Sequence, residues 1–147
     1  MNLFGILDIS GSALLAERQR AEVVTSNLAN AETTHTAEGG PYKRVHVVFG
    51  SHTMAPHNFE ATLASLTERH TEGVRVDRVV EDNTAPIRKF EPGHPDADAD
   101  GYVAYPSINP VEEMVNLMGA ARSYQLNASA VQSTKNMIQA SIDILKS

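Results

Sequence analysis

The hexapeptide Asp96-Ala97-Asp98-Ala99-Asp100-Gly101 is the most suggestive chemical pattern in the chain. Three alternating carboxylates followed by glycine match the first ligand positions of a calcium loop. Such a loop also needs a bidentate carboxylate six residues after the glycine and helices on both sides. Ser107 stands at that place, and "GYVAY" after the glycine has the look of a strand. The competing reading is an acidic turn that caps a hairpin. The alternative function carried by this stretch is a calcium- or metal-binding module using the Asp96–Gly101 turn.

Other reactive side chains do not assemble into a familiar site. The six histidines are His35, His46, His52, His57, His70 and His94. None forms the His-x-x-x-His pair that places two imidazoles on one helical face around zinc. His46, His52 and His57 are separated by loop-like steps that specify no geometry. Ser10-Gly11-Ser12 lacks the Gly-x-Ser-x-Gly pattern and the preceding strand of a nucleophile elbow. Glu38 stands alone beside Gly39-Gly40-Pro41. No nucleophile, base and orienter come together, so the sequence predicts no enzyme, no cofactor and no metal centre.

Composition narrows the partners. The chain has 147 residues, enough for one ordinary domain. Its formal net charge is −6, with no basic run, which disfavours nucleic acid. It has no cysteine, which excludes disulfides and thiolate chemistry, and no tryptophan. No stretch reaches the 18 or so apolar residues of a membrane span, so no membrane insertion is expected. The N-terminal "MNLFGILDISGSALLA" is apolar but lacks a basic start and is interrupted by Asp8. It predicts no cleaved secretory peptide.

The elements that carry these residues show two helical ends and a strand-rich middle. Met114, Leu117, Ala121, Tyr124, Ala128, Val131, Lys135, Ile138, Ile142 and Leu145 follow alternating steps of three and four. That is an apolar heptad seam interrupted only by Lys135. Asn109 is placed to cap the helix, Pro110 suits its first turn, and Glu112 and Glu113 complement the dipole. A helix over 110–146 would be about 55 Å long. A weaker seam runs through Ile6, Ile9, Ala13, Ala16, Arg20, Val23 and Asn27, over a helix predicted for 3–33. Gly5 and Gly11 each weaken that helix by about 1 kcal/mol, so it depends on packing.

The outward positions of both helices are unusual. Between Met114 and Thr134 the only charge is Arg122, and Asn116, Ser123, Gln125, Asn127, Ser129, Gln132 and Ser133 fill the rest. Small uncharged polar residues suit a helix packed by neighbours on several sides, since solvated surfaces carry more charge. Thr25, Ser26, Asn27 and Asn30 pose the same question. They either hydrogen-bond between packed helices or subunits, or they mark a helix end fraying into a loop.

Between the helices, 42–50 alternates Val45, Val47 and Phe49, and 73–82 alternates Val74 and Val76. Shorter strands are predicted within 85–93 and 101–107, with turns at Asn83-Thr84 and Pro92-Gly93. Within 51–70, Asn58 is placed to cap a short helix over 59–66. The expected fold class is α+β. Long N- and C-terminal helices pair as an antiparallel coiled coil around a small β-rich middle region, with divisions at 1–34, 35–106 and 107–147.

Taken together, these stretches resemble a known family. "SALLAERQRAEVVTSNLANAETT" carries the Ser-Asn-x-Ala-Asn-x-x-Thr pattern, here Ser26 to Thr33, shared by flagellar rod and hook proteins. "EGGPYKR" and "GHPDADADGYVAYPSINPVEEMVNLMGAARSYQLNASAVQSTKNM" are similar to stretches of bacterial flagellar basal-body rod proteins of the proximal rod. The resemblance implies a structural subunit that assembles helically with copies of itself and with other rod proteins around the export channel. It implies passage through the flagellar type III export apparatus without a cleaved signal peptide, and residence in the periplasmic rod of the basal body. The assembly interface it points to comprises Ile6, Ile9, Ala13, Ala16, Val23, Asn27 and Asn30 on the first helix. On the second it comprises Met114, Leu117, Ala121, Tyr124, Ala128, Val131, Ile138, Ile142 and Leu145.

Overall fold

A computed structural model describes residues 3–53 and 72–146. The histidines at 57 and 70 and the short helix expected over 59–66 lie outside the described residues. The order of elements is α1 (Leu3–Ala29), β1 (Val45–Thr53), β2 (Glu72–Glu81), β3 (Ile87–Phe90), β4 (Tyr102–Tyr105) and α2 (Pro110–Lys146). This is the α+β composition expected. α2 has the predicted extent, while α1 stops four residues early.

Local chemistry explains the helix ends. Asn109 Oδ1 accepts the Val111 N–H at 3.0 Å, and Asn109 O accepts from Glu113 N at 3.1 Å. With Pro110 in the first turn, this is the asparagine cap read from the sequence. At the end of α1, Asn30 Nδ2 donates to Ser26 O at 2.9 Å, and Thr33 Oγ1 donates to Asn30 Oδ1 at 3.1 Å. Asn30 thus bonds one of the last helix carbonyls, and Thr33 holds its side chain in place. The chain then reverses where Gly39 and Gly40 adopt φ of 89° and 78°, a region that glycine enters without Cβ strain.

The strands form two separate two-stranded ribbons, β1–β2 and β3–β4. Asp82 N donates to Arg44 O at 2.7 Å, and Gly50 lies against Asp77, so β1 and β2 run antiparallel. β3 and β4 are antiparallel with Ile87 opposite Tyr105 and Phe90 opposite Tyr102. Phe90 and Tyr102 meet edge to face at 5.3 Å, and the Lys89 ammonium lies 4.4 Å from the Tyr105 ring centre.

The described residues divide into two compact units. One combines the described parts of Met1–Gln19, Phe49–Asp77 and Ala121–Ser147. Within it Ser12 Oγ donates to Ile9 O at 2.7 Å and accepts the Val74 N–H at 3.0 Å, tying the start of β2 to α1. Ser10, Ala16 and Thr134 are its buried side chains. The other unit comprises Arg20–Val48 and Arg78–Ala120. Val24, Asn27, Val103, Ile108, Glu113 and Ala120 are buried there.

The buried stripe of α2 follows the predicted seam only in part. Met114, Tyr124 and Ile142 are exposed, as are Ala121 and Ala128; Leu117, Val131 and Ile138 are half-buried. The buried positions are Glu113, Ala120 and Thr134, with Asn116, Leu117, Gly119, Ser123, Asn127, Ala130, Val131 and Ile138 half-buried, a stripe that lies mostly one residue before the seam. One residue is about 100° of helix rotation. The inward side mixes Leu117, Val131 and Ile138 with small residues and polar groups, while other large apolar side chains, Met114 and Ile142 among them, face out. Several small polar side chains bond within their own helix. Thr25, Asn127, Ser129, Thr134 and Ser141 each donate to the carbonyl four residues back in their own helix.

Candidate functional site

Among the described residues, a buried polar junction lies in the second unit. It brings together the end of α1, the entry to β1 and the first turn of α2. Asn27 is 1% exposed. Its Nδ2 donates to Val45 O at 2.8 Å and to Glu113 Oε2 at 3.2 Å. Its Oδ1 accepts the Val45 N–H at 2.9 Å and the Tyr42 hydroxyl at 3.2 Å. A carboxamide offers two donor hydrogens and two acceptor lone pairs, and here all four are used. With Val45 the side chain acts as one more strand residue would, exchanging both backbone hydrogen bonds.

Glu113 is also 1% exposed. A buried carboxylate needs a counter-charge. Arg44 supplies it, pairing with Glu113 Oε1 and reaching Glu112 Oε1 at 3.2 Å. Desolvation opposes the Arg44 charge, but hydrogen bonds and charge from Glu113, then Glu112, outweigh it and raise its pKa above the ordinary arginine value. The dipole of α2 favours the two carboxylate charges, since both glutamates lie in its first turn.

The acidic turn is a second cluster, built for shape. Asp98 Oδ1 accepts the N–H groups of Tyr102 at 2.8 Å and Asp100 at 3.0 Å, while Oδ2 pairs with Arg88. The Tyr102 N–H, then the Asp100 N–H and Arg88, hold the Asp98 carboxyl below its usual pKa. Asp96 accepts from the Thr34 hydroxyl at 2.6 Å. Gly101 closes the turn at φ 81°. The carboxylates therefore point to different partners and do not converge, and among the described residues no group of three or more His, Cys, Asp or Glu could hold a metal ion. The turn closes the β3–β4 hairpin, which was the competing reading of this stretch. His46 meets Asp82 at 3.3 Å.

An open cleft of about 200 Å³ lies between Pro41, Tyr42, Arg44, Pro86 and Pro106. Asp82 at its rim is engaged by the Thr84 hydroxyl at 2.6 Å, which does most to lower its pKa to about 2. A carboxylate so acidic is a poor general base near neutral pH.

The residues expected to form an interface are spread along both helices. Asn27 is buried in the junction; Asn30 holds the helix end. On α1, Ala16 is buried, Ile6, Ala13 and Val23 are half-buried, and Ile9 is exposed. On α2, Met114 is 50% and its neighbour Met118 64% exposed, with Val111 and Val115 beside them. The Leu145 side chain lies outside the described residues. Sequence reasoning passed over Tyr42, Arg44 and Val45 as participants. The detectable signal was Glu113, a second acid beside Glu112 in a helix turn where one already serves the dipole.

Comparison with known proteins supplies the identity of this scaffold. Residues 7–34 match the family described as flagella basal body rod protein, and residues 99–144 match the flagellar basal body rod FlgEFG protein C-terminal family. The chain is 33% identical to the flagellar basal-body rod protein FlgC of Borreliella burgdorferi, with 99% of each chain covered. It belongs to the FlgC family of flagellar basal-body rod proteins. The FlgC of Salmonella typhimurium is 40% identical with 94% of each chain covered. That of Bacillus subtilis is 37% identical, covering 99% of this chain and all of its own. The first family match contains the whole Ser26–Thr33 pattern, and the second contains the last three residues of the acidic turn, β4 and nearly all of α2. The two regions that meet in the buried junction, the end of α1 and the start of α2, are thus both within family-defining sequence.

Proposed function

We propose that the chain is a structural subunit of the proximal rod, assembling helically through its terminal helices around the export channel. The observation that carries this is full-length similarity to rod proteins on a scaffold whose helices leave large apolar side chains uncovered. Exposed groups of this kind on a helix are suited to contact with further subunits. Met114, Ala121, Tyr124, Ala128 and Ile142 face outward on one chain, which makes them available to neighbouring copies or other rod proteins.

The terminal helices pair antiparallel. Support comes from two contacts in the second unit: Gly119 faces Arg20 and Glu113 bonds Asn27, so residue numbers rise on one helix as they fall on the other. The subunit passes through the flagellar type III export apparatus without a cleaved peptide and resides in the periplasmic rod. Its role is that of a building block, with other flagellar rod proteins and its own copies as partners. The test is to delete the coding sequence, restore it with an epitope tag, and purify basal bodies. The tag is expected in the rod fraction, with rods missing in the deletion strain. Complete rods without the protein would refute the reading.

A further inference from the structure

We propose that Asn27, Glu113 and Arg44 form a three-way clasp that makes the register of β1 conditional on the meeting of the two terminal helices. The two oxygens of Glu113 serve different segments. Oε1 takes the Arg44 guanidinium and Oε2 takes the Asn27 carboxamide. Arg44 directly precedes Val45, whose N–H and C=O are both paired with Asn27. Asn27 thus holds the strand by its backbone, α2 holds it by the adjacent side chain, and the two holders are bonded to each other.

Removing either helix takes partners from what remains. If α2 is absent, Arg44 loses its buried counter-charge and one Asn27 donor hydrogen has no partner. If α1 is absent, Val45 loses both backbone bonds and Glu113 loses one. With both helices docked, a polar group left without its partner is strongly disfavoured, so docked states in the wrong register are sparsely populated and the clasp closes as a unit. Segments 18 and 86 residues from Asn27 in sequence are fixed in one event. A one-residue slip of β1 would exchange the faces of Val45 and His46, so a device that fixes its first residue fixes the whole ribbon. This inference concerns the chain itself and does not rest on what it assembles with.

Amide exchange on the full-length chain tests it. Glu113→Ala changes nothing in α1 or β1, yet the clasp predicts that the Val45 N–H exchanges about tenfold faster or more, the factor matching loss of one buried polar partner. The paired amides of β3 and β4 serve as the internal reference. Asn27→Asp keeps both acceptor bonds but sets a carboxylate against Glu113, and should release Val45 as well. Adding Glu113→Gln restores a donor facing position 27 and should recover part of the protection. Unchanged Val45 exchange in Glu113→Ala, or no recovery in Asn27→Asp/Glu113→Gln relative to Asn27→Asp, overturns the proposal.

Discussion

Asn27 and Asn30 are three residues apart in one motif, yet their substitution by alanine should have very different costs. Asn27→Ala leaves the N–H and C=O of Val45 without their partners in a half-buried position. Each unpaired buried group costs about 1–3 kcal/mol. Tyr42 keeps a contact with Ser26, and Glu113 keeps Arg44, so those partners are only weakened. Alanine returns less than about 1 kcal/mol in helix propensity. The net loss is about 2–5 kcal/mol, a large share of the 5–15 kcal/mol typical of a whole domain. Asn30→Ala loses two bonds near the surface, to Ser26 O and Thr33 Oγ1, and should cost about 1 kcal/mol or less. Urea denaturation followed by circular dichroism measures both. Rod incorporation should fail in the first variant and persist in the second. Equal costs for the two alanines, or a loss below about 1 kcal/mol at position 27, would refute the assignment of Asn27 as the centre of the junction.

Two further outcomes follow from the turns. A Cβ at Gly101 would sit 3.0 Å from Phe90 Cε2 and 3.2 Å from Pro92 Cβ at a φ of 81°, so Gly101→Ala should lower the melting temperature and disturb the Phe90 and Tyr102 ring resonances; an unshifted melting curve would contradict this. Asp82 has its pKa lowered from 3.8 to about 2, first by the Thr84 hydroxyl, then by the Thr84 N–H and His46, so its contribution to the 82–84 turn is present above pH 3.8 and is lost as pH falls through about 2; an NMR titration of its carboxyl with a midpoint near 3.8 would refute the turn geometry.

Much of the fold is legible in the sequence because its signals are local. Alternating valines marked β1 and β2, and Asn109-Pro110 with two following acids marked the start of α2. The acidic turn was legible as a turn because Ser107 stood where calcium needs a carboxylate. The family pattern at Ser26–Thr33 was equally visible, since it is a matter of residue identity.

What the chain alone could not decide was where polar groups end up. Heptad spacing placed Met114, Ala121 and Tyr124 on the seam, but the inward stripe runs mostly one residue away, through Glu113 and Ala120. Apolar periodicity assumes that hydrophobic side chains turn toward their own core. Here a charged residue turns inward because Arg44 and Asn27 satisfy it, and apolar residues remain outside. The identity of Asn27 told of a helix near its end; its role depends on Val45 and Glu113, which come to it only when distant segments fold together. Local sequence thus determined the elements and their caps, and tertiary structure decided the burial of charge, because a buried polar group is stable only where the folded chain delivers its partners.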